Sequence, residues 1–154
     1  DITEARSRTA GQSSTTNGYI SGGLPPSSET NIIDKFPFAV DTNATDVGDL
    51  TQARREISGQ SSTVSGYTSG GGNPGNQNTI DKFPFSSDSN ATDVGDISVA
   101  RREMAGQSSS TNGYTSGGTG VDNSIDKFPF ASDTNSTDIG NLTEARRGPT
   151  GQQV

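Results

Sequence analysis

An all-β chain of about three repeated four-stranded units is what this sequence predicts, and three observations predict it. The hexapeptide IDKFPF occurs at Ile33 to Phe38, Ile80 to Phe85 and Ile125 to Phe130, at spacings of 47 and 45 residues. Flanking motifs recur in register with it: G-Y-[IT]-S-G-G upstream at Gly18, Gly66 and Gly113, and T-D-[VI]-G-[DN]-[LI] downstream at Thr45, Thr92 and Thr137. No segment holds apolar residues at helical spacing over about ten residues, whereas IDKFPF alternates with the period of a strand. A fixed period of this length marks a solenoid, a propeller or an array, in which each repeat is one supersecondary unit. Four short strands per repeat is the content of one propeller blade.

The elements follow in order within the second repeat. Glu56 to Ser62 is polar and punctuated by glycine, which suits a short inner strand approached closely by other backbone. Gly66 to Ser69 reads as a second strand, stopped by Gly70-Gly71-Gly72. Ile80 to Phe85 is the third, with Phe83 and Phe85 on one face and Ile80, Lys82 and Pro84 on the other. Both faces carry apolar bulk, so both are expected to be covered. Pro84 removes a ladder donor, which predicts an edge or a bulge there. Ser86 to Thr92 is dense in Asx and Ser and predicts a turn, and Asp93 to Ser98 is the fourth strand. Length varies between repeats in one place only, giving variable loops at 24–32, 72–79 and 119–124. Insertions collected in one segment mark a surface loop on one face. The whole chain, 1–154, reads as one repeat domain, with approximate repeats 7–54, 55–101 and 102–147 and partial units 1–6 and 148–154.

Composition opposes this at first sight. Leu, Ile, Val and Phe make up about 16% of the chain, below the roughly 20% that ordinarily signals disorder. A solvated Ser/Thr/Gly array without a core is the competing reading. Placement decides against it: every aromatic falls at a repeat position, as Tyr19, Tyr67 and Tyr114 and the Phe pairs 36/38, 83/85 and 128/130. Solubility alone would not fix the few large apolar groups in register, so they are expected to be core. A net charge of −7 disfavours a nucleic-acid partner, which needs clustered Lys/Arg; the Arg pairs 54/55, 101/102 and 146/147 are evenly spread. No run of about 18 apolar residues predicts membrane insertion. The chain enters mid-motif, DITEAR at Asp1 matching NLTEAR at Asn141, and reads as a fragment, a processed product or a deliberate excerpt.

Taken together, these parts resemble a kelch repeat. The resemblance rests on Gly70-Gly71 ending the second strand, a loop of variable length, Phe83 and Phe85 on the third strand, the SSDSNAT turn, and DVGDIS leading to Ala100-Arg101. It covers the whole chain and implies a β-propeller built from kelch-like four-stranded blades, about three of them here. The family's usual tryptophan on the fourth strand would fall near Val47, Val94 and Ile139, and the sequence contains none. Three blades do not close a ring, because propellers typically use four to eight. The resemblance therefore implies self-association, for example a dimer of six blades, or a longer parent chain.

Absent histidine and cysteine exclude Ser-His and Cys-His nucleophilic catalysis, ordinary zinc sites and the copper site of kelch-like galactose oxidases. Carboxylate pairs such as Asp46/Asp49 and Asp93/Asp96 recur in the repeats, and repetition points to structure, since an active site is usually single. No catalytic, cofactor or metal residue is expected. Asp41 to Asp46, Asp88 to Asp93 and Asp133 to Asp138 resemble the start of a calcium loop but lack its later glycine and bidentate Glu; turn formation explains them better. T-D-V-G-D is similar to the sialidase Asp-box hairpin without its final aromatic. The sequons at Asn43, Asn90, Asn135 and Asn141 matter only in a secreted eukaryotic protein. Lys, Arg and the excess Asp are expected to pair between blades, at about 0–1 kcal/mol for each surface pair.

The expectation is a non-enzymatic structural or ligand-binding scaffold that meets a protein or glycan ligand through one rim. The alternatives are a carbohydrate-binding or calcium-binding module, or a component of an extracellular or virion fibre.

Overall fold

The computed structural model describes residues 1–120 and 122–151; Val121 of the third variable loop and residues 152–154 of the last partial unit lie outside the described residues. Twelve strands form three separate four-stranded antiparallel sheets, each a simple meander. The first holds β1 (Ala10–Ser13), β2 (Asn17–Ser21), β3 (Ile32–Pro37) and β4 (Thr45–Asp49). The second holds β5 (Ser58–Ser61), β6 (Ser65–Ser69), β7 (Thr79–Pro84) and β8 (Thr92–Asp96). The third holds β9 (Ala105–Ser108), β10 (Asn112–Ser116), β11 (Ser124–Pro129) and β12 (Thr137–Asn141). Among the described residues there is no helix, and none of the sheets closes on itself.

Local chemistry explains the recurring motifs. In T-D-[VI]-G-D, the β7–β8 register shifts between Ile80 and Asp81, leaving Val94 as the extra residue of a bulge. The same shift recurs in the other two sheets. Gly95 accommodates it with φ 147°, and the Asp93 carboxylate accepts the Gly95 N–H at 3.1 Å. The bulge therefore lies one motif away from the Pro84 position at which the sequence predicts one. Pro84 sits neither on an edge strand nor in a bulge: β7 is interior to its sheet, and its ladder with β8 has already ended at Lys82. Its missing N–H breaks nothing. The fourth strand also stops at Asp96, short of Ser98, and Ile97 turns inward to become buried.

The Gly-Gly pairs end the second strands because their backbone leaves the region open to other residues. Gly70 and Gly71 have φ of 60° and 105°, conformations that favour glycine, and the Gly71 N–H donates to the Arg101 carbonyl at 2.9 Å.

The core lies between sheets. One cluster joins Tyr19, Ile33 and Leu50 of the first repeat to Phe83, Ala91 and the partly buried Phe85 of the second. The other joins Tyr67, Ile80 and Ile97 to Phe128 and Phe130. Alternation along IDKFPF thus sends its isoleucine toward the next sheet and its phenylalanines toward the preceding one. Where the first strands pass one another the backbones nearly touch: a Cβ on Gly59 would collide with the Gly11 carbonyl, and one on Gly106 with the Gly59 carbonyl. That explains the glycine of the Gly-Gln motif in the first strand of the second and third sheets.

Candidate functional site

The residues that recur most strictly converge at the junctions between sheets. After β4 the chain runs through Thr51-Gln52-Ala53-Arg54 and delivers the arginine into the second sheet. Arg54 and Asp81 are both fully buried, paired at 2.7 Å. The Arg54 guanidinium also donates to the carbonyls of Gly70 and Thr79, at 2.7 and 2.9 Å. Asp81 accepts further bonds from the Thr51 N–H at 3.0 Å and the Thr51 hydroxyl at 2.6 Å. A buried carboxylate is tolerable only with such saturation. The arginine's backbone meanwhile stays with the sheet it leaves, its carbonyl accepting the Gly23 N–H at 2.9 Å. Backbone on one sheet and side chain in the next make Arg54 a staple.

The latch repeats. Arg6 meets Asp34 at 3.0 Å, with Thr3 on the carboxylate, and Arg101 meets Asp126 at 3.1 Å, with Ser98 on it. In the third sheet the loop residue Asp122 adds a second carboxylate 3.6 Å from Arg101. Burial pushes the Asp122 carboxyl up, but bonds from Ser124 and the charge of Arg101 outweigh it and hold it below its ordinary value.

Aromatic rings cross the same junctions. Tyr19 stacks on Phe85 at 4.9 Å and tilts against Phe83 at 5.5 Å, and Tyr67 repeats this on Phe130 and Phe128 at 4.9 and 5.6 Å. Such pairs add about 0.5–1.5 kcal/mol beyond the area they bury. Burial raises both phenols above their ordinary value near 10.

The expected ion pairs between sheets are present. Lys35 reaches Asp88, Lys82 reaches Asp133 at 2.8 Å, and Arg8 reaches Glu56 at 2.6 Å. Glu56 also holds Arg102 at 3.1 Å, and Glu103 holds Arg147. The Asp133 bond raises the Lys82 ammonium, and the Arg147 bond lowers the Glu103 carboxyl. Arg8, Glu56 and Glu103 share a left-handed backbone, φ 56° to 59°. Their peptide groups form a line, Glu56 N–H to Arg8 carbonyl and Glu103 N–H to Glu56 carbonyl, each 2.9 Å.

The acidic turns serve the junctions too. The sequon residue Asn90 accepts the Asp49 N–H through its side chain at 3.1 Å, and the Ala91 N–H donates to the Asp49 carbonyl at 2.8 Å. Asn135 does the same for Asp96. These asparagines bind the preceding sheet rather than only their own turn. Asp46, Asp93 and Asp138 each accept the N–H two residues on, and among the described residues no group of three metal-ligating side chains forms.

Two rims remain. The meander places the variable loops at one end of the sheets and the first-hairpin turns at the other. The variable loops begin at the Gly-Gly pairs, and the third strand starts at their last residue, as at Ile32 and Thr79. On the opposite rim, Ser13, Ser61 and Thr63 help line a hydroxyl-rich groove of about 260 Å³ that runs across all three repeats. The Asp of IDKFPF, a fully buried carboxylate in each repeat, is what residue reading misses. Its signal is the strict pairing of that Asp with a Thr/Ser-x-x-Arg segment in every repeat. No family model matches the chain, and no curated protein matches it in sequence.

Proposed function

We propose that this chain is a non-enzymatic scaffold, three blades of a kelch-like β-propeller that works by holding a rim in place for a ligand. The observation that carries the reading is the identity of the junctions. Each uses one buried arginine staple, Arg54 or Arg101, and one tyrosine seated on two phenylalanines. Repeat residues committed to packing leave the rims as the surfaces that vary, which is how scaffolds divide labour between frame and loops. Four-stranded meanders stacked face to face are the content of propeller blades. Closure of the ring calls for further blades, from a second copy or from a longer parent chain. A structural place in an extracellular or virion fibre fits the same frame.

Electron microscopy of the assembled chain tests this reading. Closed rings are the expected result, and straight or helical filaments without rings would overturn the propeller.

A second reading, a carbohydrate-binding module, is favoured by the hydroxyl-rich groove across the first-hairpin turns. Calorimetric titration with oligosaccharides tests it, with Ser61→Ala expected to weaken any uptake of heat. The same titration with calcium chloride tests the calcium alternative.

A further inference from the structure

The first six residues occupy a seat that the other repeats fill from outside. Thr3 bonds Asp34 through its N–H and hydroxyl at 3.0 and 2.6 Å, distances repeated by Thr51 on Asp81. The Ala44 N–H donates to the Asp1 carbonyl at 2.8 Å, as the Ala91 N–H does to Asp49. Through Asp1 and Thr3, Asp1–Arg6 does for the first sheet what 49–54, the tail of the first repeat, does for the second. Arg6 pairs with Asp34 as Arg54 does with Asp81, but donates to the Ile20 carbonyl at 3.2 Å where Arg54 donates to those of Gly70 and Thr79.

A second segment of the same kind has no seat. Asn141 to Arg146 reads NLTEAR against DITEAR. The Arg146 backbone is held like the other staples, its carbonyl accepting the Gly118 N–H at 3.0 Å. Its side chain is exposed, and among the described residues it has no carboxylate partner, whereas Arg54 and Arg101 are fully buried.

The sheet faces beside these segments are complementary in the same sense. Phe38 of the first sheet is 55% exposed, while its counterparts Phe85 and Phe130 lie under Tyr19 and Tyr67. On the third sheet Tyr114 is half-buried and, among the described residues, meets no ring; Tyr19 and Tyr67 are 3% and 2% exposed. Lys127 stands where Lys35 and Lys82 find an aspartate, and Asp41 stands on the first sheet where Asp88 and Asp133 receive one. Gly11 and Gly140 have open space where Gly59 and Gly95 meet the neighbouring backbone.

We propose that copies of this chain associate head to tail by segment exchange: Asn141–Arg146 of one copy enters the Asp34 seat of a second and displaces that copy's Asp1–Arg6, while the second copy's Arg8–Gly11 takes the place beside Glu103 and Gly106 that the first copy's own Gly148–Gly151 holds. Tyr114 then stacks on the second copy's Phe38, and Lys127 pairs with its Asp41. The interface is heterologous, and on the propeller reading its repetition closes into a ring. This rests on the scaffold reading, and it makes the resident N-terminal segment a competitor that lowers apparent affinity by the fraction of time it holds the seat.

Light scattering of the 15.9 kDa chain over a concentration series tests the proposal, using Phe38→Asp and Arg146→Glu, two exposed positions. The full chain is expected to associate, and each variant alone to stay monomeric with unchanged circular dichroism. An equimolar mixture is expected to give a species of two chains, because each variant keeps one intact face. Arg6→Ala, which loosens the competitor, is expected to lower the half-association concentration by about tenfold or more. A full chain that keeps its β signal and stays monomeric throughout overturns the exchange and leaves the scaffold reading standing. Association that survives either single substitution, or a mixture that fails to combine, also overturns it. A full chain without β signal overturns both.

Discussion

The inner junctions and the two outer faces of this molecule are built from the same residues and differ in what covers them. Phe83, between the first and second sheets, is 2% exposed; Phe38, on the phenylalanine face of the first sheet, which no other sheet covers among the described residues, is 55% exposed. Ile33 and Ile80 are fully buried, and Ile125 of the last sheet is half-buried. Arg54 lies in a seat saturated with oxygen atoms, and Arg146 lies in solvent. Burial here is a property of position in the stack rather than of residue type. In repeat proteins stability is roughly a sum of unit and nearest-neighbour terms, so one substitution should cost very different amounts at the two kinds of site.

The sharpest contrast is aromatic. At concentrations where the chain is monomeric, Phe83→Ala should cost about 3–5 kcal/mol, the range for removing a buried aromatic. Phe38→Ala should stay within about 1 kcal/mol. Urea unfolding followed by circular dichroism measures both, and equal costs would break the comparison. Staples come next. Arg54→Ala strands Asp81 in the core and should cost about 3–5 kcal/mol, against about 0.5 kcal/mol or less for Arg146→Ala. A midpoint for Arg54→Ala that matched the parent chain would mean that the buried pair contributes nothing net.

Glycine offers a smaller version of the same test. Gly59→Ala puts a methyl against the Gly11 carbonyl and should cost about 1–3 kcal/mol through overpacking. Gly11→Ala meets open space and should be neutral or stabilising by up to about 1 kcal/mol. Reversal of that order would show that the first strands are further apart than the backbone positions imply.

The least effect lies at alkaline pH. Burial raises the Tyr19 and Tyr67 phenols above their ordinary value near 10. The unfolded chain therefore ionises first, so their contribution is complete below pH 10 and is lost as pH rises through the folded values. Thermal melts from pH 9 upward should fall from about pH 10, and Tyr67→Phe should reduce that fall. An undiminished fall in the variant would exclude Tyr67 as a source.

Much of this frame is legible in the residues. Tyr19, Tyr67 and the Phe pairs announce themselves as core because they keep register in a chain otherwise poor in apolar groups. Strand order within a repeat follows from alternation and glycine punctuation. Asp81 is harder to read. Its neighbours in IDKFPF argue from apolar bulk, and a lone Asp in a strand looks like a solvated position until an arginine from the preceding repeat is brought to it. Pro84 misleads for a related reason: whether its missing N–H matters depends on where the ladder with β8 ends, and a bulge centred on Val94 decides that.

Sequence alone determined the unit, its three copies and its strands, because those follow from periodicity and local conformational preference. Only the tertiary structure decided which residue serves which sheet. Arg54 belongs by sequence to the first repeat and by side chain to the second, and Asn90 reaches back to Asp49. Both are contacts between groups far apart along the chain, set by how one sheet stacks on the next. For the same reason the sequence shows Phe38 and Phe85 as equals, and the fold makes one solvent-facing and the other part of the core.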